Sequence, residues 1–182
     1  MKILKISGLI ILALIVLILV AGAFMPKEFH FEGKQSIKSS REIAWNNVVN
    51  LRNHEKWSQW RVLDPNMQVV FSGDDGQVGS KMVWTSEHAQ VGNGTQTLTG
   101  IDGKDRVNFD VDFGGKGNAK SYLMVSGDTS QCNVTWGLDI QAPYPMNAIM
   151  GMMMKKEMMD DMFTKGLGML KEACEKEESA IQ

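Results

Sequence analysis

The sequence predicts an α+β domain: a curved antiparallel sheet of about seven strands wrapped around one long C-terminal helix, preceded by a single transmembrane helix. Three observations carry this. Residues 147–176 (NAIMGMMMKKEMMDDMFTKGLGMLKEACEK) hold no proline and are dominated by Met, Leu, Lys and Glu, all good helix formers. Residues 29–141 read as short strands and turns around two short helices. Residues 8–25 carry no charge and almost no polarity. A sheet and a long helix each have an apolar face to cover, and each covers the other's.

Composition narrows the function classes. The 182 residues suit a membrane anchor over 1–26 and one domain over 27–178. Net charge is −2, and with Lys2 and Lys5 set aside in the anchor the domain is mildly acidic, which argues against nucleic acid as a partner. Two cysteines, Cys132 and Cys174, exclude a disulfide scaffold and a cysteine zinc site. His30, His54 and His88 are scattered without metal-ligand spacing, so neither a metal nor a cofactor is expected.

Taken in order, the apolar run Gly8–Met25 is just long enough to cross a bilayer core as a helix. Lys2 and Lys5 before it keep the N-terminus in the cytoplasm and send the domain to the far side. Ala21-Gly22-Ala23 resembles a signal-peptidase site, but the run is long for a signal h-region, so a retained anchor is the reading. Phe29–Ile37 alternates as a half-buried strand, with Phe29, Phe31 and Ile37 inward. Ser39 and Ser40 offer N-cap oxygens to a helix over Arg41–Leu51, and a second short helix or turn covers Asn53–Trp57. Asp64-Pro65-Asn66 is a turn, after which strand follows strand. Met67–Phe71, Ser80–Ser86, Gly94–Ile101, Arg106–Phe113, Ala119–Ser126 and Asn133–Gln141 make six, separated by turns such as Asp102–Asp105 and Gly114–Gly117. Their inward sets include Met82 and Trp84; Val107, Phe109, Val111 and Phe113; and Val134, Trp136, Leu138 and Ile140. Pro143 and Pro145 end the sheet and lead into the long helix, whose inner stripe runs Ile149, Met152, Met159, Phe163, Gly166, Leu170 and Ala173.

This element order resembles the helix-grip fold of the START-like superfamily, which includes the birch-pollen-allergen-like proteins. Local motifs sharpen the resemblance. Asn50-Leu51-Arg52-Asn53, Trp57-Ser58-Gln59-Trp60, Asp64-Pro65, Phe113-Gly114-Gly115 and Val134-Thr135-Trp136 look like the polyketide cyclase/dehydrase-like (SRPBCC) branch, in its membrane-anchored bacterial form. Gln59 stands where relatives often have proline. The resemblance implies a domain outside the inner membrane, held by a single pass, that binds an apolar small molecule or lipid between the long helix and the sheet. The family also includes cyclases, so a cyclase or hydrolase on the same cavity is the alternative, as is an interaction module with a filled core.

The ligand-binding candidates are Trp57 and Trp60 near the fold's opening, Met82, Trp84, Phe109, Phe113 and Trp136 on the sheet, and Met152, Met159, Phe163 and Gly166 on the helix. His54, beside Trp57, is the one candidate for a general base, and a histidine at a helix end is more often structural. Gly166 and Gly168 each cost about 1 kcal/mol inside a helix, which either close helix–sheet contact or room for a ligand would explain. Nine of the 14 methionines lie between 146 and 169, with Met150, Met154, Met158 and Met162 as a second stripe. Thioethers select Cu(I), but no Cys or His joins the cluster, and a pliable apolar surface is the better reading. Strand and helix rise bring Cys132 and Cys174 near the same edge, where a disulfide is open to them. The inward parity of Cys132 and the position of Cys174 at the helix end oppose it.

Overall fold

Alternation along the strands becomes a two-faced sheet in the computed structural model, which describes residues 2–115 and 117–181. The order is α1 (Lys2–Phe24), β1 (Glu28–Ile37), α2 (Arg41–Val49), a 3₁₀ turn (Leu51–Lys56), α3 (Gln59–Leu63), β2 (Gln68–Ser72), β3 (Lys81–Thr85), β4 (Gly94–Asp102), β5 (Arg106–Asp112), β6 (Asn118–Gly127), β7 (Cys132–Gln141), α4 (Met146–Met153) and α5 (Lys156–Ile181). Lys116, within the expected Gly114–Gly117 turn, lies outside the described residues.

The seven strands form one antiparallel sheet in the order β1-β7-β6-β5-β4-β3-β2. Only β1 leaves the hairpin sequence, pairing with the last strand through Phe29↔Ile140 and Ile37↔Cys132. Side chains alternate across each strand, so this register gathers Phe31, Val134, Phe109, Trp84 and Met82 on the face that holds the helix. The expected sheet and inward sets are thus observed. Ser40 caps α2 by accepting from the Ile43 N–H at 3.4 Å, and Ser58 caps α3 by accepting from the Arg61 N–H at 3.2 Å.

The expected single helix over 147–176 is instead two, and its second part runs on to Ile181. The chain breaks at Met154, whose φ of −86° and ψ of 79° are not helical. Nothing in the local propensities demands this. Two competing anchorages do. On α4, Asn147 donates to the carbonyls of Gly22 (2.8 Å) and Met25 (2.9 Å) at the end of α1. On α5, Phe163 and Leu167 lie over Gly33 of β1. The break lies between these two anchorages, and tertiary contact overrides propensity there.

The far end of α5 is tied down by carboxylates. Glu175 accepts from the Lys38 N–H (2.9 Å), Glu178 from the Ser40 N–H (2.7 Å), and Glu177 from Asn47 Nδ2 (3.0 Å) and Lys56 Nζ (2.7 Å). This junction clamps α5 to the β1–α2 corner. Cys132 and Cys174 are separate buried thiols. Burial pushes them up, to about 11 and about 12 respectively, so both are protonated at neutral pH.

Candidate functional site: an open apolar end of the grip

The space between α5 and the sheet is filled along an aromatic run. His54 packs on Trp57 (ring centroids 4.7 Å) and on Phe109 (5.6 Å); Trp57 meets Trp136 edge-on (5.9 Å), and Trp136 meets Phe163 edge-on (5.2 Å). Polar handles fix the two indoles. Trp57 Nε1 donates to the Asn47 carbonyl (3.2 Å), and Trp136 Nε1 donates to Ser121 Oγ (2.9 Å). Trp57, Phe109, Met159 and Phe163 are buried.

Glycines let the helix come this close. A Cβ on Gly33 would lie 2.5 Å from Phe163 Cβ, and one on Gly166 would lie 2.6 Å from Trp136 Cζ3. Gly166 therefore serves close helix–sheet contact. Gly168 differs: a Cβ there meets nothing within 4 Å. The two positions should respond oppositely to alanine. Gly168→Ala is expected to raise stability by about 0.5–1 kcal/mol through helix propensity. Gly166→Ala is expected to lower it by roughly 1–3 kcal/mol through overpacking. Denaturant titration of both variants checks the sign, and equal shifts would defeat the close-contact account.

His54 belongs to this filled region. Its Nε2 lies 2.9 Å from the Val48 carbonyl, to which the neutral ring donates. Burial holds its pKa down at about 4, against the opposing pull of the Val48 carbonyl and Asp75. A ring walled by Trp57 and Phe109, with one nitrogen engaged by backbone, is placed as a core residue.

The other half of the concave face is open. Along β2 and β3 the inward side chains Val69, Phe71, Met82 and Trp84 are only half-buried, and Phe113 joins them from the end of β5. Met150 and Met154 at the α4–α5 elbow and Met162 on α5 are half-buried against the core. Trp60 on α3 is exposed. Trp57, Phe109, Trp136, Met159, Phe163 and Gly166 make the filled region, while Met82, Trp84 and Phe113 belong to the open one and Trp60 stands exposed on α3. Met152 lies apart, 56% exposed on α4.

Register places the open end relative to the anchor. Trp84 pairs with Gly94, Thr95 with Asp112, Asp112 with Asn118, Ala119 with Ile140, and Glu28 with Gln141. This row crosses six strands from Trp84 on β3 to the start of β1, close to the end of α1. The half-buried apolar strip and the elbow therefore share the end of the domain from which α1 departs.

Sequence reasoning missed Phe71 and Asn147, though Asn147 is the lone polar residue in the run 146–154, a signal that could have found it. It also missed a polar cluster on the convex face. There the Tyr122 hydroxyl donates to Glu32 Oε2 (2.6 Å) and Arg106 lies over the ring (3.9 Å). The hydrogen bond from Tyr122 holds Glu32 below the usual carboxylate range, and burial, aided by Glu32, pushes Tyr122 up to about 12. Gly137, paired with Tyr122, leaves its ring room to lie on the sheet. A notch of about 160 Å³ lies near Glu32, Lys34, Asp160 and Thr164, too small for most ligands. Among the described residues no group of three or more His, Cys, Asp or Glu is placed to hold a metal ion.

No family model matches the chain, and no curated protein is similar to it in sequence. Solved structures are similar in fold. Norcoclaurine synthase from Thalictrum flavum, in complex with dopamine and hydroxybenzaldehyde, is 12% identical, with a TM-score of 0.59 over 90% of this chain and 92% of that one. Ara h 8.0201 is 12% identical, with a TM-score of 0.54 over 84% and 99%. Protein CV1439 from Chromobacterium violaceum is 13% identical, with a TM-score of 0.55 over 82% and 99%. At these identities the likeness establishes architecture. The chain has the helix-grip fold that these structures share.

Proposed function

We propose that this chain is a membrane-tethered protein of the polyketide cyclase/dehydrase-like branch that binds an apolar small molecule or lipid at the open end of its grip. The observation that carries the reading is the half-buried strip of Phe71, Met82, Trp84 and Phe113 on the concave face, left half-bare by α5, which lies over β1 and β7. Methionines adapt to irregular apolar ligands, and a flat indole gives a large contact area. The mechanism is desolvation of the ligand, with few polar groups to orient it; Gln96, paired with Met82 on the same face, is one.

Tethering is supported by α1. Lys5–Phe24 is the one described helix long and apolar enough to cross a membrane, with a mean hydropathy of 3.0. Gly22, inside the alternative cleavage sequence, is buried under Tyr144 and Asn147, so the C-terminal end of α1 packs against the domain. With Lys2 and Lys5 ahead of the span, the domain over 27–178 lies outside the inner membrane.

Native mass spectrometry of the full chain, released from detergent, tests the binding. A bound apolar mass is expected, with its occupancy falling about tenfold, roughly 1.4 kcal/mol, in Trp84→Ala. Val83→Ala, on the opposite face of the same strand, should leave it unchanged. Equal occupancy in the two variants, or no bound mass, would overturn the reading. Edman sequencing of the membrane fraction checks the tether: a soluble product starting at Phe24 would replace the anchor with a signal peptide.

A further inference from the structure

α4 is eight residues long and has no polar outer face. Asn147 and Ala148 are buried, Asn147 through its hydrogen bonds to α1. Gly151 sits against Met25 and Phe29. What remains outward is apolar: Met146 is 48% exposed, Met152 56% and Met153 69%, with Tyr144 at 48% just before the helix and Phe24 at 87% beside it. Water is a poor neighbour for such a surface, and contiguous exposed apolar patches mark a contact.

Position names the contact. Asn147 is bonded to carbonyls in the last turn of α1 and just beyond it, so α4 lies at the depth where the span leaves the hydrocarbon. Tyr144 lies against Gly22 at that same level, and tyrosine favours the interface between hydrocarbon and water. We infer that α4 is an interfacial helix, seated in the bilayer that α1 crosses, with Met146, Met152 and Met153 in the lipid and Asn147 fastening it to the span. The inference rests on α1 being a retained anchor. The lysines near it, Lys27, Lys155 and Lys156, are matched by Glu28, Glu157 and Asp160, and Lys156 pairs with Asp160 at 2.6 Å. The seating is therefore apolar and needs no anionic lipid.

The test uses the full chain, reconstituted into phosphatidylcholine vesicles, with a photoreactive diazirine residue placed singly at Leu19, Met153 or Ile181. Leu19 reports the span. Ile181 is 75% exposed at the end of α5 that is tied to the β1–α2 corner, away from α1, and serves as the solvent control. Lipid adducts at Met153 should match those at Leu19 and exceed those at Ile181 about tenfold, as burial in the interface requires. Adducts at Leu19 with Met153 no better than Ile181 would overturn the seating while leaving the anchor standing. Adducts at neither position would remove the anchor and the seating together. A Met153 cross-link to a second copy of the chain would assign the surface to self-association and overturn the proposal.

Discussion

Replacing Phe163 with alanine is expected to lower the stability of the domain by about 3–5 kcal/mol, the usual loss for deleting a buried aromatic ring. Phe163 is 2% exposed and is the point where α5 meets the sheet: its Cβ and ring cover Gly33, and its edge-on contact with Trp136 continues the aromatic run to Trp57. Gly33 has no side chain to move into the vacancy, and Trp136 is held in place by its hydrogen bond to Ser121. The site therefore collapses poorly, which places the loss in the upper part of the range. Melting temperature should fall by roughly 10 °C for a domain of this size. Near-ultraviolet circular dichroism during urea titration is the measurement, because Trp136 and Trp57 lose their fixed surroundings with the ring. A loss below about 1 kcal/mol would show that α5 is held mainly by the carboxylate clamp at its other end.

This variant also separates two uses of the interior. In the wild type the aromatic run fills the region between α5 and the sheet where the sequence places a ligand. Removing Phe163 opens a dry void beneath α5, and such voids take up small apolar molecules. Benzene-sized probes should therefore bind the variant and protect it from melting, while leaving the wild-type melting point where it was.

The sheet was legible in the sequence because its physics is local. Phe29–Ile37 and Arg106–Phe113 alternate with a period of two, and each alternation survives as a buried and an exposed face. The joining of β1 to β7 was available only through the resemblance, since no local signal pairs Ile37 with Cys132. The break at Met154 was not legible at all. It falls between two tertiary anchorages, one of them the contact between Asn147 and the end of α1, more than a hundred residues away in sequence. The role of Gly166 was readable as one of two alternatives, and only the position of Trp136 decides between them. His54 shows the same limit: spacing put it beside Trp57, but not whether it faced a cavity or packed into the core. The open strip was half-visible, in that Met82 and Trp84 share a parity. That β2 and β3 stay half-bare depends on where α5 lies, over β1 and β7.

Stability should fall by about 3 kcal/mol as pH drops from about 6.5 to about 4, on account of His54 alone. The ring is buried among Trp57, Phe109 and backbone, and its pKa is held down at about 4 chiefly by burial. In the unfolded chain it titrates near 6.5. Above that value both states carry a neutral ring, and the contribution is fully present. Between the two values the unfolded chain binds a proton that the folded one refuses, so each falling pH unit removes about 1.4 kcal/mol. Below about 4 both states are protonated and the loss is complete. Glu32, Asp64 and Asp128 also have lowered pKa values, and their contributions are likewise lost on acidification, but carboxylates act at the acid end of this window. The interval from pH 6.5 to 5 therefore isolates the histidine. His54→Gln keeps a donor of similar reach for the Val48 carbonyl and carries no titrating group. Urea titrations at several pH values should show a slope near one proton per molecule for the wild type in that interval and a flat line for the variant. An unchanged slope in His54→Gln would move the acid sensitivity elsewhere and reopen His54 as a solvent-reached base.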